Sequence, residues 1–241
     1  MRKTPALLAA AIAATTVAAL PAVANASTTT TTAPTAATAT PTFDYSDCPR
    51  IPAGVDPAKW RCEVMVATGT MTVNGTTIPF RFDRVTHAEG YLPDGTESQV
   101  FGAFRAANLE VPGRQSGNGH GPKLWLRPHL VTPPDFFSQD GAMSLTLELS
   151  GPRLGDHCSI GTADAPVAIA AARVAGTTQW LSQDPPIITF DVQDSTLTVP
   201  GAKGCGRSTH DIDRRFGLPS PTGANRLEGT AYYSFKTYDK L

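Results

Sequence analysis

Residues 63–82 read Glu63-Val64-Met65-Val66-Ala67-Thr68-Gly69-Thr70-Met71-Thr72-Val73-Asn74-Gly75-Thr76-Thr77-Ile78-Pro79-Phe80-Arg81-Phe82. Val, Ile, Thr and Phe crowd both flanks of one Asn-Gly pair, and such residues pack well on a pleated surface. Asn-Gly supplies the two left-handed positions of a type I′ turn, so the stretch is a β-hairpin closed at Asn74-Gly75. Pro79 cannot donate to a ladder, which places its strand at a sheet edge or a bulge. Asn74-Gly75-Thr76 is also a formal glycosylation sequon, but the tight turn already accounts for these residues.

Period-two alternation recurs downstream. Leu124 to Leu130 and Ser144 to Leu149 alternate as half-buried antiparallel strands do. Gln99 to Phe104, Pro166 to Ala170, Pro186 to Val192 and Leu227 to Tyr238 also read as strands, and Pro93-Asp94-Gly95 marks a turn. Gly113 to Gly121 is a polar, Gly-rich loop. The best helix candidate is Thr209 to Phe216, with Thr209 as N-cap, Asp211 and Asp213 in the first turn and Gly217 as its stop. A shorter helical turn is expected at Asp56 to Trp60, with Pro57 at its first position. Turn signals every ten residues or so, with little helical periodicity, predict an all-β fold: an antiparallel β-sandwich or related β-barrel with one short helix near residues 209–216.

Upstream the character changes. Arg2 and Lys3, the apolar run Ala6 to Leu20 and Ala24-Asn25-Ala26 have the layout of a cleaved signal peptide over residues 1–26. Residues 27–43 are dominated by Thr, Ala and Pro. They have too little apolar bulk to offset ordering entropy, so a disordered tether is expected, and its composition suits O-glycosylation. Residues 44–241 suffice for a single domain, entered through a Pro- and Gly-rich lead-in around Cys48. The expected location is outside the cell or at its wall, with no transmembrane segment once the leader is removed.

The chain has 20 Lys and Arg against 21 Asp and Glu. Without Arg2 and Lys3 the balance is 18 to 21, or −3, with no block of like charge, so no nucleic-acid partner is expected. A monomer acting on an envelope or extracellular partner fits this surface. The cysteines are Cys48, Cys62, Cys158 and Cys205. Four cysteines in an exported chain suggest two disulfides, with three connectivities open. Cys48–Cys62 with Cys158–Cys205 is favoured because each pair flanks one local unit. A Cys158–Cys205 bridge would close about 48 residues and contribute roughly 4 kcal/mol in the chain-entropy picture. No C-x-x-C or C-x-x-H spacing suggests zinc.

No local catalytic constellation appears. His157-Cys158-Ser159-Ile160-Gly161 is the nearest approach to a nucleophile elbow, but His157 replaces the first Gly and no helix follows. Asp156-His157 reads as a turn. His210 and Asp211 are helical neighbours that cannot face each other, and helix capping explains Asp211 and Asp213 better than a bound cation. His87, His120 and His129 show no ligand spacing, so neither a cofactor nor a metal is expected. Of the aromatics able to line a carbohydrate or lipid pocket (Trp125, Phe136, Phe137, Trp180, Tyr232 and Tyr233), we single out Phe136, Phe137, Trp125 and Tyr232 as ligand-binding candidates. Phe136-Phe137 follows the loop-like Thr132-Pro133-Pro134-Asp135, where two aromatics have to be covered by something.

Two blocks carry a resemblance. Cys158-Ser159-Ile160-Gly161, Ala165-Pro166-Val167 and Gly176-Thr177-Thr178 form the first. Val199-Pro200-Gly201-Ala202-Lys203-Gly204-Cys205-Gly206 and Leu218-Pro219-Ser220-Pro221-Thr222-Gly223-Ala224-Asn225 form the second. The series, over about residues 150–235, resembles one in uncharacterised secreted β-rich proteins of actinomycete-type bacteria. It departs from their pattern at the charged run Arg207 to Arg215, where a Leu/Gly-rich run is expected. The resemblance implies an exported β-domain with a disulfide between these two blocks, and no catalytic residue. The expectation is therefore a secreted, non-catalytic β-domain acting by binding or structural association. The alternatives are a carrier of an apolar small ligand, or a hydrolase whose site assembles only in the fold.

Overall fold

The Asn74-Gly75 hairpin forms as its residues dictate: both turn positions have positive φ, 44° and 79°, and Val73 pairs with Thr76 across a two-residue loop. The computed structural model describes residues 40–111, 123–136 and 141–241. Residues 1–26, expected as a signal peptide, residues 27–39 of the expected tether, the Gly113–Gly121 stretch with His120, and Phe137 lie outside the described residues. Residues Thr40–Leu241 make one unit.

The strands are β1 (Arg61–Val73), β2 (Thr76–Tyr91), β3 (Glu97–Ala106), β4 (Leu109–Val111), β5 (Leu124–Asp135) and β6 (Ala142–Ser150). They continue as β7 (Ser159–Ile160), β8 (Val167–Ala170), β9 (Ala172–Arg173), β10 (Gln179–Gln183), β11 (Pro186–Asp194), β12 (Ala202–Lys203) and β13 (Asn225–Thr237). One sheet runs β10-β11-β13-β1-β2-β3 with β9 on β11, and the other β12-β7-β6-β5-β4 with β8 on β6. The pairings are antiparallel. These are two separate sheets, so the fold is a sandwich and not a closed barrel.

Alternation fills the space between the sheets. Met65, Ala67, Met71 and Val73 of β1, Ile78, Phe80, Phe82 and Val85 of β2, and Leu145, Leu147 and Leu149 of β6 belong to one buried core. Ile212 and Phe216 of helix α1 (Thr209–Phe216) join it. The outer face of the larger sheet is covered by the lead-in. Tyr45 donates to Ser234 (2.7 Å), Thr86 to the Asp47 carbonyl (2.8 Å) and Tyr238 to the Pro49 carbonyl (2.6 Å). The Cys48–Cys62 disulfide fixes this strap, and Cys158–Cys205 is the other bridge. Among the described residues no helix is long and apolar enough to cross a membrane.

Three local expectations are refined. Pro79 sits where β2 has a ladder partner only in β1, because pairing with β3 begins at Phe82. Its segment is therefore a local edge within an interior strand. Thr209 is the first helical residue and not the N-cap. A 3₁₀ turn at Gly206–Ser208 runs directly into α1, and Thr209 Oγ1 donates back to the Gly206 carbonyl (3.0 Å). Thr132-Pro133-Pro134-Asp135 is the end of β5. Only Thr132 and Asp135 pair there, with register shifts on both sides of Thr132, so the prolines occupy unpaired positions.

Candidate functional site

Between the sheets lies an apolar cavity of about 110 Å³. Met65, Ala67, Phe80, Phe82, Phe190, Ala231 and Tyr233 line it from the larger sheet, and Phe136, Met143 and Ile169 from the smaller. It persists because small residues stand where the sheets would otherwise touch: Ala67 and Ala231 pair with each other across β1 and β13, and Gly141 and Ala171 line the opposite wall. At the rim Arg173 lays its guanidinium over the Phe190 ring, 3.7 Å from the centroid. Arg173 is exposed, and among the described residues no carboxylate pairs with it.

The cavity abuts a polar cluster at one end. Phe136 lines the cavity and stacks on the buried His87. His87 Nε2 is 3.3 Å from Glu89 Oε2 and 3.6 Å from Glu63 Oε2. Arg61 holds the other oxygens, with Nε 2.6 Å from Glu63 Oε1 and an Nη bonded to Glu89 Oε1. The hydrogen bond with His87 holds the Glu89 carboxyl down at about 2, against the effect of burial. Burial pushes Glu63 the other way, above the usual carboxyl range, in spite of His87 and Arg61. Burial also lifts the Tyr233 phenol far above its usual range, and the Glu63 charge adds to it.

Register creates this cluster. Counting back from the Asn74-Gly75 turn would set Glu63 opposite Thr86. A bulge between Met65 and Ala67 shifts the count by one, so Glu63 faces His87. A one-residue slip exchanges the faces of a strand. Without the bulge Thr86 would point inward, whereas it now bonds the lead-in on the outer face. Nothing in the alternation announces the bulge, which is why the sequence alone does not single out Glu63 and Glu89 and shows His87 without a ligand pattern.

Of the aromatics singled out, the structure brings Phe136 to the cavity. Trp125 lies on the outward side of β5, between the inward Leu124 and Leu126, opposite Glu110 and Ser150. Tyr232 lies on the outward face of β13 beside Val66 and Thr189, so its neighbour Tyr233 is the cavity residue. Trp180 is exposed on β10. Ser159 begins β7 and donates to the Gly161 carbonyl (2.8 Å), not to a histidine. Asp213 accepts from the Ala202 amide (2.8 Å) and ties α1 to β12, while Asp211 pairs with Arg214. His129 meets Glu148 on the exposed face of the smaller sheet (2.5 Å). The structure thus offers an apolar receptacle with a cation, Arg173, at its rim, and beside it a histidine flanked by two carboxylates. Among the described residues no hydroxyl or thiol is bonded to His87, so a nucleophile–base pair is not assembled there.

No family model, no curated protein and no solved structure matches the chain.

Proposed function

We propose that the chain is an exported, non-catalytic binding domain, acting outside the cell or at its envelope, that takes a small amphipathic anion into the cavity between its sheets. The cavity carries this reading. Apolar cavities of roughly 150 Å³ stay dry and accept a benzene-sized guest, and about 110 Å³ lined by Met, Phe and Tyr side chains is of that order. The space suits one ring or a short alkyl end, not a long lipid. Arg173 at the rim adds a guanidinium that no carboxylate among the described residues pairs with, which favours a carboxylate or phosphate on the outer end of the guest. The leader-like N-terminus and the two disulfides support the exported location.

Native mass spectrometry of protein collected from culture medium, followed by the same sample denatured, tests the reading. A small anionic adduct that is present natively and lost on denaturation is the expected result. A bare native mass that stays bare on incubation with short-chain carboxylates would contradict it.

A further inference from the structure

The cluster beside the cavity supports a second site of a different chemistry. Glu63, His87 and Glu89 each offer one ligand atom, and these three atoms lie within 4.8 Å of one another. Two donors bound to one tetrahedral zinc at ~2.0–2.1 Å stand about 3.3 Å apart, and the His87 nitrogen lies 3.3 and 3.6 Å from the two oxygens.

A network of hydrogen bonds alone serves this geometry poorly. A single Nε2–H donates well to one oxygen, yet two carboxylate oxygens converge on it. A cation in their midst would satisfy all three. Arg61 meanwhile holds both Oε1 atoms, as outer-shell partners of metal-binding carboxylates do. With His87 neutral, the four groups sum to −1, so a positive charge is favoured among them.

Gln99 stands directly opposite Glu89 on the same face of the sheet. Among the described residues its buried Oε1 has no hydrogen-bond partner. There is also a route in. Arg61 and Glu89 line an open recess of about 240 Å³ together with Trp60, Tyr91 and Glu97.

We propose that Glu63, His87 and Glu89 bind one divalent first-row transition ion of the Zn²⁺ class, with Arg61 orienting both carboxylates. One imidazole with two carboxylates favours Zn²⁺ or Mn²⁺ over Ca²⁺, which prefers six to eight oxygens. The site stands independently of the cavity ligand.

The test uses the untagged full chain after chelator treatment, titrated calorimetrically with Zn²⁺ and, in parallel, with Co²⁺ followed by its visible ligand-field bands. One equivalent of each should bind. Glu63→Gln and Glu89→Gln should each weaken Zn²⁺ by at least about tenfold and alter the Co²⁺ bands. His87→Gln should abolish both signals. Because His87 is buried and its replacement endangers the fold, the two Glu variants decide the matter where that variant does not fold. His129→Gln, which removes the exposed His129–Glu148 pair, should leave binding unchanged. The proposal is overturned if no saturable Zn²⁺ binding occurs, if both Glu variants bind as the parent does, or if Ca²⁺ binds more tightly than Zn²⁺.

Discussion

Phe136 lies flat against His87, with ring centroids 3.8 Å apart and planes 8° apart. It closes the polar cluster on one side and the apolar cavity on the other. Stacked rings are worth about 0.5–1.5 kcal/mol beyond their buried area, and Phe136 also removes the histidine from water. Phe136→Ala should therefore lower unfolding stability by about 2 kcal/mol and weaken the cavity ligand. Urea unfolding measures the first effect, and a midpoint equal to the parent's would show that the stack contributes nothing.

Ala67 contributes only a methyl to the cavity wall. Ala67→Leu would fill much of the space, and cavity filling typically adds about 0.5–2 kcal/mol. The expected variant is at least as stable as the parent and no longer binds short-chain carboxylates. Retained affinity would mean that the guest sits elsewhere.

Gly69 and Gly229 pair across β1 and β13 beneath the Phe80 ring. A Cβ at Gly69 would stand 2.1 Å from the Glu228 carbonyl oxygen and 2.7 Å from Phe80 Cε1. The first neighbour is backbone, so the strand itself would have to shift. Gly69→Ala should cost about 1–3 kcal/mol and disturb Phe80 at the cavity floor. Thermal unfolding at the parent's midpoint would refute this close approach.

Tyr238 donates to the Pro49 carbonyl at 2.6 Å, and burial lifts its ionisation from 10.0 to about 12. A raised pKa in the folded state keeps its full stabilising effect below about pH 10 and loses it as the pH climbs towards 12. Tyr238→Phe should be less stable than the parent at pH 8 by about 1 kcal/mol. The gap should shrink between pH 10 and 12, because the parent then ionises to unfold and the Phe variant has no such proton to lose. A gap that stays constant over this window would exclude the linkage.

The hairpin at Asn74-Gly75 was legible because its chemistry is local: two residues that accept positive φ sit between two β-rich runs. Helix α1 was legible for the same reason, with Gly217 at φ 65° ending it. Pro133-Pro134 misled, since prolines inside a run signal a loop until the bulged register of β5 is seen. The site was less legible still. Phe136 was readable as an aromatic in need of cover. Choosing Tyr233 over Tyr232 required the pairing register, because adjacent strand residues face opposite ways. Glu63 and His87 meet only through a one-residue bulge, a tertiary adjustment with no composition of its own.

The central claim is that the space between the sheets takes a ligand, and its methionines can report on that directly. Met65 and Met143 line the cavity, whereas Met71 is buried in the same core without lining it. Hexanoate would be titrated into protein carrying ¹³C-labelled methionine methyls. Saturable shifts at Met65 and Met143, with Met71 nearly still, are expected. Unmoved Met65 and Met143 resonances throughout the titration would contradict the claim.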